Sequence, residues 1–171
     1  MRIVLVLAAL FFSSATAFAE DPQTLYWEDL LPEGEIERLE ELYASQPTLA
    51  FGHSPNDPLT ASSPLQIGTF NVVEELDGQL VKIPGYVLPF EYSESGKISE
   101  FLLVPYFGAC IHTPPPPPNQ MVYVTAEKPA DLGSQWNAIW AIGVLRTKEH
   151  LNELGDAAYT LEIQSWETYD G

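Results

Sequence analysis

Apolar and polar residues alternate along the second half of the chain, in short runs separated by turn residues. Val81, Ile83, Gly85 and Val87 share one phase, as do Ile139, Ala141, Gly143 and Leu145. Tyr159, Leu161 and Ile163 alternate with Thr160, Glu162 and Gln164. A period of two is that of a half-buried strand. Five strands are predicted: Leu80 to Phe90 after the turn signal Asp77-Gly78, Ser99 to Phe107, Gln120 to Ala126, Ile139 to Thr147, and Tyr159 to Trp166. A short helix is predicted over Lys148 to Leu154. Gly85 and Gly143 fall in phase with the apolar face, as glycines do at the sharp bends of a small barrel. The fold expected is mainly β, a small OB-like five-stranded barrel, because closure removes the long edges an open sheet would expose.

The first half reads differently. Ile36, Leu39, Leu42 and Tyr43 recur at helical spacing, and Glu33, Glu35 and Glu37 lie near the positive end of the helix dipole. An amphipathic helix over residues 33–45 is predicted, stopped at Gln46-Pro47. Pro47, Pro55, Pro58 and Pro64 then punctuate a loop or linker over 46–68. At the start, Met1-Arg2 precedes ten apolar residues, Ile3 to Phe12, and small residues leading to Ala17-Phe18-Ala19. That order is a secretory signal peptide cleaved after Ala19. It is too short to span a bilayer, which takes roughly 20 apolar residues. The expected organisation is a signal peptide (1–19), an acidic helical segment (20–45), a Pro/Ser-rich linker (46–68) and the barrel domain (69–171). The expected location is the periplasm, with no membrane insertion after cleavage.

Composition narrows the partners. Seven Lys+Arg stand against 24 Asp+Glu, a formal net charge of −17 in 171 residues. Nucleic acid is disfavoured, because binding phosphates needs clustered cations that displace counterions. A single cysteine excludes an internal disulfide and a multi-cysteine zinc finger.

That cysteine sits in an unusual stretch. Gly108-Ala109-Cys110-Ile111-His112-Thr113 runs into five prolines, Pro114, Pro115, Pro116, Pro117 and Pro118, then Asn119-Gln120. The prolines form a polyproline II rod of about 15 Å, with carbonyls to offer and no N–H donors. Thr113 precedes a proline and is pushed to extended geometry. In an extended chain Cys110 and His112, two apart, face one side. A thiolate and an imidazole are good ligands for zinc or copper. As a third reading, the imidazole could lower the thiol pKa and make Cys110 a nucleophile of a thiol-dependent enzyme. In the plainest alternative Cys110 is a packed apolar residue. A Cys-x-His pair supplies only two ligands, and Glu91, His53 and His150 are further candidates. Another use of the segment is docking: Pro114 to Pro118 with Tyr106, Phe107 and Tyr123 would form a protein-interaction surface.

The Gly-x-Cys-Ile-His-Thr-Pro block through Asn119-Gln120, with Val81-x-Ile83-Pro84-Gly85-Tyr86-Val87-x-Pro89 upstream, resembles a family of small exported bacterial proteins known as a domain of unknown function. The resemblance covers residues 69–147 and extends loosely to Trp27 through Pro32. It implies a periplasmic or lipoprotein-anchored protein, sometimes encoded beside ABC-type transporter components or in zinc-responsive gene sets. No lipobox cysteine follows Ala19 here. The function expected is therefore a non-enzymatic periplasmic binding or accessory protein. It would handle zinc or copper near a membrane transporter, or engage another periplasmic protein.

Overall fold

The computed structural model describes residues 21–45, 66–90, 97–109, 115–130 and 138–169. Along the chain lie β1 (Gln23–Thr24), a 3-10 turn (Trp27–Leu30), α1 (Glu35–Ser45), a second 3-10 turn (Glu74–Leu76), β2 (Leu80–Pro89) and β3 (Ile98–Val104). A third 3-10 turn (Pro118–Gln120) precedes β4 (Val122–Ala130), β5 (Ala138–Arg146) and β6 (Tyr159–Thr168). All five predicted strands form, and each ends within a few residues of its expected limits.

The sheet order β2-β3-β4-β6-β5 closes through β5 pairing back to β2. Every pairing within the ring is antiparallel except β4 with β6. This is a closed, OB-like five-stranded barrel. β2 is shared between neighbours: Leu80 to Tyr86 face β5, and Tyr86 to Pro89 face β3. The small β1 runs parallel to β2 at Val81 and Lys82, the stretch of that edge β3 does not reach.

The glycines act where the chain packs tightest. A Cβ on Gly85 would stand 2.7 Å from Leu103 Cγ and 3.0 Å from Trp27 Cζ2. One on Gly143 would meet backbone, 2.8 Å from Ile163 Cα and closer still to the Glu162 carbonyl oxygen. Gly143 sits at a β-bulge, where the β5–β6 register shifts between Ile142 and Gly143. Such a bulge bends the strand and tightens the barrel.

The interior packs Val81, Ile83, Phe101, Leu103, Val124, Leu145 and Leu161. Burying side chains like these contributes roughly 1.5–3 kcal/mol each. The acidic segment is not an appendage to this core. Leu25 and Leu30 are buried within it, and Trp27 packs against it. Tyr159 ties three segments together: its hydroxyl donates to the Leu30 carbonyl at 2.8 Å and accepts from the Val73 amide at 2.7 Å. The expected boundary between a helical segment and a barrel domain therefore runs through a shared core.

The short helix expected over Lys148 to Leu154 does not form. His150 and Ala157 instead exchange backbone hydrogen bonds at 2.8 and 2.9 Å as an isolated antiparallel bridge. The turn between them is held by Asn152, whose amide donates to Asp156 Oδ1 and whose Oδ1 accepts from the Leu154 amide. Asn and Asp compete with helical bonding in this local way.

Candidate functional site

Cys110, His112, His53, Glu91 and Pro114 lie outside the described residues, as does the signal segment 1–19. Among the described residues no three His, Cys, Asp or Glu side chains gather as a metal site. No described helix is long and apolar enough to cross a membrane.

The rest of the proline segment is packed in. Pro115, Pro116 and Pro118 are buried and Pro117 is half-buried. Their carbonyls are used as the rod's chemistry anticipates. Pro116 accepts from Gln66 Nε2 at 2.7 Å, Pro117 from the Gln120 amide at 2.8 Å, and Pro118 from the Ala158 amide at 2.8 Å. A proline run solves a local problem here, since each residue brings an acceptor to satisfy and no donor. As a docking surface the three buried prolines contribute support, not contact area. Tyr106 and Phe107, the aromatic part of that expected surface, are 43% and 52% exposed.

Directly after the prolines stands a buried polar hub that sequence reasoning missed. Glu35, in the first turn of α1, is 2% exposed, and Asn119 is 0% exposed. Glu35 Oε1 accepts from Thr69 Oγ1 and, at 3.0 Å, from Asn119 Nδ2; its Oε2 accepts from Asn71 Nδ2 at 2.8 Å. The Arg38 guanidinium stands 3.5 Å from the same carboxylate. Three stretches of chain thus converge on one buried carboxylate, which carries enough donors to offset its desolvation. Gln120 extends the junction by donating to the Trp27 carbonyl at 2.7 Å. The only sequence signal was the Asn-Gln pair closing the proline block.

The outer face of β2, β3 and β4 carries a second cluster. Leu102, Val104, Ala109, Met121 and Ala157 form a small buried layer, with Tyr86, Leu88, Phe90 and Tyr123 packed on it. β3 is therefore apolar on both faces, Phe101 and Leu103 inward and Leu102 and Val104 outward. The imidazole of His150 stacks flat on the Tyr123 ring, with centroids 3.5 Å apart and planes 2° from parallel. Phe90 leans on both rings at 5.9 and 6.1 Å, and Phe107 meets Tyr86 edge-on at 5.9 Å. The His150–Ala157 bridge sets the imidazole's position, so its role is invisible without the tertiary structure.

An open groove of about 580 Å3 runs beside this stack, lined by Phe90, Ser99, Glu100, His150, Leu151 and Asn152. Burial first, then a hydrogen bond to Glu100 and that residue's charge, together push the Tyr123 phenol up to about 12. The phenol stays protonated at neutral pH beside the Glu100 carboxylate. The arrangement offers flat apolar rings, one negative carboxylate, and amide and hydroxyl groups. It can bind; among the described residues it assembles no nucleophile with a base and an oxyanion donor.

The Protein of unknown function (DUF3299) family model matches residues 27–168. Among solved structures, the chain is similar to a crystal structure of a DUF3299 family protein from Pseudomonas aeruginosa PAO1. The two are 34% identical, the match covers 89% of this chain and 99% of that one, and the TM-score is 0.64. No curated protein matches.

Proposed function

The chain belongs to the DUF3299 family of proteins of unknown function, and from that premise we propose that it is an exported, non-enzymatic binding domain. Its outer aromatic face docks a basic, apolar segment of another envelope protein. The observation that carries this reading is the stack of Phe90, Tyr123 and His150 beside Glu100. Aromatic rings at a protein surface supply contact area at low entropic cost. Exposed Phe107 and Leu151 enlarge the patch. A formal charge of −17 steers cationic partners and repels phosphates.

The test places a photo-crosslinking amino acid at Phe107 or Leu151, with Tyr26 as control. Crosslinks to one discrete partner are expected from the first two positions, with loss at high salt and in His150→Ala. Equal yields from Tyr26, or indifference to both salt and the His150 variant, would discard the aromatic face.

A second reading is handling of zinc or copper by Cys110 and His112, near an ABC-type transporter. The Cys-x-His spacing ahead of the proline block favours it. Metal entry would release protons, since the thiolate must form. Calorimetry in two buffers of different ionisation enthalpy should expose that release. Cys110→Ser and His112→Ala should each weaken binding by a similar factor. Equal binding by wild type and both variants removes the metal reading. If Cys110 is instead a catalytic thiol, alkylation will be fast well below pH 8.

A further inference from the structure

β3 and β4 pair without a break from Leu103 opposite Val122 to Glu100 opposite Thr125, and then the register shifts between Ile98 and Glu100. Ile98 turns into the core. Its two successors, Ser99 and Glu100, both line the open groove beside the aromatic stack. In a regular strand consecutive side chains go to opposite faces. A register shift re-aims them, and such bulges are over-represented next to functional sites.

The groove carries one carboxylate, Glu100, and among its described lining there is no lysine or arginine. Glu100 joins no ion pair among the described residues. The Tyr123 phenol donates to it, and a carboxylate has lone pairs for further donors. Lys97 and Lys148, the lysines nearest in sequence to the lining, are exposed and outside it. The charge of the groove is therefore negative and not cancelled within its own walls.

The walls beside that charge are flat rings. Tyr123 covers one face of the His150 imidazole, and half-buried His150 lines the groove together with Phe90, whose plane is tilted 41° from it. A carboxylate next to aromatic faces suits a guanidinium, which is planar, stacks on rings and forks onto both carboxylate oxygens. A lysine ammonium is a more strongly hydrated point charge and gains less from the rings.

We infer, resting on the docking face proposed above, that this groove is an arginine pocket. The guanidinium of one arginine in the docked segment lies against Phe90 and His150 and pairs with Glu100. The bulge at Ser99 brings a hydroxyl to the same groove, as a further acceptor for its N–H groups.

The probe is an end-blocked leucine-arginine-leucine peptide, titrated into the isotope-labelled protein. The matched peptides carry lysine, or citrulline, which keeps the shape of arginine without its charge. Saturable amide shifts are expected at Ser99, Glu100, His150 and Asn152. The lysine peptide should bind about fivefold more weakly and the citrulline peptide about tenfold or worse. Added salt should weaken the arginine peptide, since Glu100 is exposed. Glu100→Gln should erase the preference for arginine over citrulline. Shifts absent from the groove, equal binding of the arginine and lysine peptides, or a preference untouched by Glu100→Gln would each overturn the pocket. Equal binding of all three peptides, with a partner still crosslinked from Phe107, removes the pocket and leaves the docking face standing. No groove shifts and no crosslinked partner remove both.

Discussion

At the scale of single residues, one carboxylate and one phenol hold distant parts of the chain together. Glu35 accepts from three side chains and faces Arg38. Glu35→Gln would turn one acceptor into a donor facing donors, so a destabilisation of ~1–3 kcal/mol is expected by denaturant titration. Glu35→Asp should also lose stability, because its shorter arm cannot reach Asn71 and Asn119 together. Burial pushes the Tyr159 phenol up to about 12, with a smaller opposing effect from the Val73 amide. Its neutral form is favoured in the folded state, so the unfolded chain gives up the proton first as pH rises. Its contribution to stability is complete below pH 10 and declines as pH climbs toward 12. Tyr159→Phe should flatten that alkaline decline and lower stability at neutral pH, since the Leu30 carbonyl and Val73 amide lose their partner. Chemical denaturation at neutral and alkaline pH reads both effects.

At the scale of elements, the two strand glycines mark different constraints. A side chain at Gly85 meets the Leu103 and Trp27 side chains, which can shift a little. One at Gly143 meets the backbone of β6 at the bulge, which cannot. Gly85→Ala and Gly143→Ala should both destabilise, with about 1–3 kcal/mol as the scale of overpacking, and Gly143→Ala should cost more. Equal denaturation midpoints for the two variants would contradict the bulge as the tighter contact. The strands were legible in the sequence because period-two alternation is a local signal. The stretch 148–154 was not: Lys148, Glu149 and Leu151 suit a helix, and the His150–Ala157 bridge with its Asn152–Asp156 turn overrode that preference. The partial burial of the proline block was equally illegible, since composition cannot say what packs over a rod.

At the scale of the whole molecule, net charge constrains what the protein can meet. Export with cleavage after Ala19 predicts a mature chain beginning at Glu20 by intact mass; a purified envelope species still starting at Met1 would refute it. With −17 charges, no saturable binding to an oligonucleotide is expected at physiological salt by fluorescence anisotropy. What sequence alone determined is what rests on local rules: strand periodicity, the helix over Glu35–Ser45, the two in-phase glycines and the acidic charge. Tertiary structure alone decided which distant residues share a site. Glu35 meets Thr69, Asn71 and Asn119; His150 lies on Tyr123; β4 and β6 part company at Ala126 and Ile163. Those pairings join positions tens of residues apart and are set by how the barrel closes and where its register shifts, which no short-range pattern of residues encodes.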